Sequence, residues 1–142
     1  MKTLFHLLPH RYPFLLIDRV RYFKNKNIVF CIKNITANDP WLQGHFPNHF
    51  IFPAVLMIEA IAQAAIILSL LNHPDHQNSN GYYYITGIDV ARFKRRIIPG
   101  DQLKIEVLLI KEIRNIIFFK GSIFVKKNIV CHAKIMCKYI LN

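Results

Sequence analysis

Residues 53–71 read Pro53-Ala54-Val55-Leu56-Met57-Ile58-Glu59-Ala60-Ile61-Ala62-Gln63-Ala64-Ala65-Ile66-Ile67-Leu68-Ser69-Leu70-Leu71. The run is apolar on every side of a helix, and Pro53 suits a first turn, where a missing N–H costs nothing. Its length is near the ~18 residues that cross a bilayer. However, Glu59 and Gln63 fall toward its middle, where a polar group is most expensive, and no basic cluster flanks it. The reading favoured is a protein helix buried on all sides.

The rest of the chain supplies what buries it. After a polar loop at 72–81 the pattern changes to period two. Residues 82–98 form one extended segment, broken near Gly87, and Pro99-Gly100-Asp101 makes a turn. Three strands follow. Leu103, Ile105, Val107 and Leu109 mark one face of the first, and Ile117, Phe119, Ile123 and Val125 one face of the second. Ile129, Cys131, Ala133, Ile135, Cys137 and Tyr139 mark the third, opposed by His132, Lys134 and Lys138. Upstream, residues 14–24 and 28–35 read as two strands joined by Asn25-Lys26-Asn27, after a short helix over 4–11 closed by Pro13. Residues 38–52, with prolines at 40 and 47, read as loop.

One all-round apolar helix and about six antiparallel strands have few packing solutions. The fold class expected is α+β, a curled antiparallel sheet wrapped around one long central helix, in a single domain over residues 1–142. An edge strand is left over, of the kind commonly hidden by pairing with a second subunit.

A hydrophobic fraction of 53% with 19% charged residues excludes a disordered chain. The net charge of +11 is the only feature pointing toward nucleic acid, since no recognised binding motif accompanies it. Cys31, Cys131 and Cys137 sit in apolar contexts and read as free thiols of a cytoplasmic protein. Residues 1–8 lack the apolar length of a signal peptide. His73 and His76 would need two further ligands to hold zinc, so no metal site is expected.

Chemistry is suggested by Glu59 in its oily helix and by His45 in the loop before it. A helix amino terminus presents unpaired N–H groups, which can hold a developing oxyanion. A base, an acid and such a donor are the parts needed to remove a proton beside a carbonyl and expel a β-leaving group. Gln63, one turn beyond Glu59, could orient the carboxylate or a water. A histidine before a helix is more often a cap or loop residue, so type and spacing leave catalysis and a structural role both open.

Three motifs carry a resemblance. They are Leu7-Leu8-Pro9-His10-Arg11-Tyr12-Pro13-Phe14-Leu15-Leu16-Ile17-Asp18-Arg19-Val20; Gly44-His45-Phe46-Pro47 with Pro53, Val55-Leu56, Glu59-Ala60 and Ala62-Gln63; and Ala91-Arg92-Phe93-Lys94-Arg95 with Pro99-Gly100-Asp101-Gln102-Leu103. Together they resemble the 3-hydroxyacyl-acyl-carrier-protein dehydratases across nearly the whole chain. Glu at position 59 resembles the Z-type enzymes, which only dehydrate; the A-type carry Asp there.

The resemblance implies a hot-dog fold, a homodimer or trimer of dimers, and a site shared between protomers, with His45 of one working beside Glu59 of the other. It implies the backbone amide of Ala54 as oxyanion donor and Gln63 as the orienting residue. It also implies a substrate carried on the phosphopantetheine arm of acyl carrier protein, with no cofactor and no metal. Arg92, Lys94, Arg95 and Arg96 then form a basic surface for that acidic partner. Phe50 and Arg96 stand where the family commonly has proline, Ala54 where it has glycine and Val90 where it has asparagine. A hot-dog thioesterase is the alternative enzyme, and a basic nucleic-acid-binding module the alternative without catalysis.

Overall fold

A computed structural model describes residues 4–141, and side chains from His6 onward. The reading of residues 1–8 as no signal peptide therefore lies partly outside the described residues. Six strands form one antiparallel sheet: β1 (Arg19–Lys24), β2 (Ile28–Asn34), β3 (Tyr82–Phe93), β4 (Gln102–Ile113), β5 (Ile116–Val125) and β6 (Asn128–Ile140). The spatial order is β1-β2-β4-β5-β6-β3, so β1 and β3 are the edges. The helices are α1 (Leu4–Leu7), α2 (Pro40–Gly44) and α3 (Ala54–Asn72), and a short 3₁₀ turn covers Pro74–Asn78.

The sheet curls around α3 because its inner positions are the apolar ones. Val29 pairs with Val107 and Cys31 with Ile105. Ile105 pairs in turn with Ile123, and Ile123 with Cys131. All six are buried, and every residue from Ala60 to Leu70 of α3 is buried with them. The helix is long and apolar enough to cross a membrane, but 72% of its most apolar window is buried inside the protein. Gly121 on β5 lets Ile61 of α3 approach the sheet directly. The hairpin between β4 and β5 turns on Arg114 and Asn115, both at positive φ, the geometry of a two-residue hairpin loop.

Several boundaries differ from the sequence reading. The first helix ends at Leu7 rather than Arg11. The first strand starts at Arg19, because the backbone of Phe14 and Leu16 bonds the side chain of Gln63 and not a neighbouring strand. The segment read as loop over 38–52 contains α2, five residues long with Pro40 at its start. Strand β3 runs on through Gly87 to Phe93; the irregularity there takes the form of register shifts between Ile85 and Gly87 and between Ile88 and Val90. On β6 a register shift opposite Phe124 buries both Val130 and Cys131 and leaves Ile129 half-exposed. Finally, α3 is not covered on every side: Val55 is 73% exposed.

Candidate active site

His45 follows α2 directly, its N–H closing that helix on Leu42 O at 3.1 Å. The loop after it is tied by reciprocal bonds between Phe46 and His49 (3.1 and 2.9 Å), by Ile51 N–H to His45 O (3.0 Å), and by Phe52 N–H to Ile97 O (2.8 Å). These bonds hold a loop that carries Phe50 in place of proline, and Phe50 itself packs against the core. His45 Nδ1 lies 2.8 Å from Ile51 O. A carbonyl oxygen only accepts, so Nδ1 is the donor of this bond and Nε2 is the ring nitrogen left to exchange a proton with a substrate.

The ring lines an open cavity of about 670 Å³ with Pro53, Ala54, Phe93, Lys94, Arg95 and Arg96. Helix α3 starts at Ala54, with no side chain capping its first turn. Its first N–H groups therefore keep the partial positive charge of a helix start at the edge of this cavity. Ala54 is not among the residues at positive φ, so its methyl group costs the backbone nothing.

Glu59 lies elsewhere in the same chain. Its Oε1 accepts from Gln63 Nε2 at 3.0 Å, and His10 Nε2 is 3.6 Å from the same oxygen. Gln63, fully buried, is fixed by Leu16 N–H donating to its Oε1 and by its own Nε2 donating to Phe14 O, both at 2.8 Å. Burial pushes the Glu59 carboxyl above the ordinary range, opposed by the Gln63 hydrogen bond.

The structure thus brings His45 together with Ala54, Lys94, Arg95 and Arg96, and brings Glu59 together with Gln63. Within one chain Glu59 does not line the cavity of His45. Arg92 stands apart on β3 and donates to Ala91 O at 3.1 Å. Arg95 is held at 2.8 Å by Asp101, whose Oδ2 also accepts Ile98 N–H. Among the described residues, Lys94 and Arg96 are the cations at the cavity without such a clamp. His49, Phe50 and Arg96 line a second opening of about 430 Å³ beside it. From sequence, His10 is one residue of a motif with no role of its own, and its contact with Glu59 is missed. Its place in the apolar stretch Leu7-Leu8-Pro9-His10 was the available signal that the ring is drawn inward.

Residues 8–134 match the family model of the FabA-like domain. The chain is 49% identical over 137 residues to the 3-hydroxyacyl-[acyl-carrier-protein] dehydratase FabZ of Shewanella loihica, covering 96% of this chain and 90% of that protein. A dehydratase heterocomplex, ApeI:P from Xenorhabdus doucetiae, superposes with a TM-score of 0.83 at 19% identity, over 97% of this chain and 91% of that one. The thioesterase HI1161 of Haemophilus influenzae gives 0.63 at 11%, over 87% and 78%, a likeness of fold alone. The hot-dog fold, the helix carboxylate Glu59 and an identity near one half with FabZ converge: this chain belongs to the FabA-like family, among its 3-hydroxyacyl-[acyl-carrier-protein] dehydratases.

Proposed function

We propose that this chain eliminates water from a 3-hydroxyacyl group carried on acyl carrier protein, giving the trans-2-enoyl thioester for fatty acid elongation. The observation that carries the reading is the 2.8 Å contact of His45 Nδ1 with Ile51 O, which leaves Nε2 to exchange a proton beside the opening turn of α3. In the proposed reaction Nε2 takes the proton from the carbon alpha to the thioester. The Ala54 amide holds the oxygen on which negative charge collects. Glu59 passes its proton to the β-hydroxyl, the C–O bond breaks and water leaves. His45 ends with one proton more and Glu59 with one fewer, so the elimination is redox-neutral and needs no cofactor.

Because His45 and Glu59 of one chain face different surroundings, the site is completed by a second copy. Edge strand β3 supports this: Tyr84, Ile88 and Phe93 are exposed along it, and Phe93 lines the same cavity as the open Val55 of α3. Pairing β3 with β3 of another protomer would close the sheet edge and cover these side chains. Lys94 and Arg96 at the cavity rim suit an acidic carrier protein, with Arg92 further along β3.

Replacing His45 by Ala tests the assignment. A general base is worth about 10²–10⁴-fold, so the variant should lose that factor in kcat. Retention of more than about a tenth of the rate contradicts it, given that magnitude. Free-thiol release measured in parallel detects thioester hydrolysis, the alternative enzyme reaction.

A further inference from the structure

We infer that His10 is a positioning residue for Glu59: its neutral Nε2–H, with the Gln63 amide, makes Oε1 the accepting oxygen and leaves the transferable proton on Oε2. The inference rests on the reading of Glu59 as the acid.

The geometry assigns each proton in turn. Gln63 Oε1 is taken by Leu16 N–H, so its Nε2 faces the other way and directs its two hydrogens to Phe14 O and Glu59 Oε1. His10 Nε2 approaches that same Oε1 at 3.6 Å. Its Nδ1 is buried and has no hydrogen-bond partner among the described residues. A proton on Nδ1 would be a buried donor without an acceptor, while a proton on Nε2 points at a carboxyl oxygen. The Nε2–H tautomer is therefore favoured. A charged ring would carry both protons, and burial first, then the neighbouring Arg11, hold the ring below its usual range.

Two N–H groups thus converge on Oε1, and a hydroxyl there would meet donors instead of acceptors. The proton of Glu59 sits on Oε2. At 3.6 Å His10 acts on Glu59 as an oriented dipole instead of a bonded donor. When Oε2 gives up its proton to the leaving hydroxyl, the resulting carboxylate is stabilised from the Oε1 side by both N–H groups. The other titratable neighbour, Cys137 on β6, stays a neutral thiol with its pKa pushed to about 12, so it adds no charge.

The test compares His10→Leu, which keeps bulk without a donor, with His10→Gln, whose amide can replace Nε2–H. His10→Leu should lower kcat several-fold, less than the roughly ten-fold of a lost hydrogen bond to a charge, with KM nearly unchanged. Its activity should persist to higher pH: without the donor the carboxylate is less stable, Glu59 holds its proton longer, and the limb that falls with rising pH moves upward. His10→Gln should return both kcat and the limb toward wild type. An unshifted limb in His10→Leu, or an equal fall in both variants, overturns the inference and leaves only packing. Glu59→Gln separates the two failures: if it stays active the reading of Glu59 is wrong, and if it is inactive while His10→Leu is normal only the role of His10 is.

Discussion

Gly121→Ala probes the contact that sets the height of α3 over the sheet. Gly121 sits in β5 between Val107 and Ala133. A Cβ there would lie 2.3 Å from Ile61 Cγ2 and 3.1 Å from Cγ1. Carbon atoms pack at about 3.5–4.0 Å, so something must move by more than ~1 Å. Ile61 is fully buried and, being β-branched, has essentially one rotamer in a helix, so the helix and not the side chain must yield. Overpacking of this kind costs about 1–3 kcal/mol, or a fall in Tm of about 3–12 °C at this chain length. Ile61 lies two residues beyond Glu59, and a misplacement of about 1 Å at a reacting group can cost ~10²-fold in rate. Activity should therefore fall further than the loss of folded protein explains.

The rescue is specific. Ile61→Ala alone leaves a cavity worth about 2–5 kcal/mol. Combined with Gly121→Ala, the new methyl group occupies part of that space, so the double variant should be at least ~1 kcal/mol more stable than the sum of the singles. Thermal and urea unfolding of the four proteins, with ultraviolet detection of enoyl product, measure both effects. An unchanged Tm in Gly121→Ala, or strict additivity, would refute the argument.

Two further outcomes follow from buried ionisable groups. The thiols of Cys31, Cys131 and Cys137 are buried and held protonated, their pKa values pushed to about 12, 11 and 12. At pH 8 the folded protein should react negligibly with a thiol reagent and the unfolded chain rapidly, and fast labelling of the native state would contradict this. Glu59→Gln should be inactive yet more stable than wild type at neutral pH. With its folded pKa raised by burial, Glu59 binds its proton more tightly in the native state. Wild-type stability is then fullest below the unfolded carboxyl pKa and falls as pH rises through the folded one, a loss the amide does not suffer. Melting curves from acid to neutral pH should diverge in that sense, and parallel curves would count against a burial cost.

The architecture was legible because two periodicities dominate the chain. Nineteen residues of α3 admit only a buried helix or a span, and alternation such as Leu103-Ile105-Val107 admits only strands with one face inward. What failed were features fixed by tertiary contacts. Residues 14–16 look like strand but spend their backbone groups on Gln63. Strand β3 absorbs Gly87 through register shifts that no local pattern records. Helix α2, only five residues long, has too little periodicity to register.

At the site, His45, Glu59 and Gln63 were singled out from chemistry and Ala54 through the resemblance, but fourteen residues of sequence separation between His45 and Glu59 carry no information on distance. Only the fold places His45 against Ile51 O and Glu59 against Gln63 and His10. Arg95 looked like one more surface cation, and its clamp on Asp101 depends on the turn at Gly100, which has a positive φ.

The most direct measurement is complementation between two inactive variants. Co-expressed His45→Ala and Glu59→Gln chains, separately tagged so that mixed assemblies can be purified, are assayed against each variant alone. If each site takes His45 from one protomer and Glu59 from the other, a mixed symmetric dimer keeps one intact site of two, and an equal random mixture recovers about a quarter of the wild-type rate. A mixed population no more active than its parents would contradict the shared site.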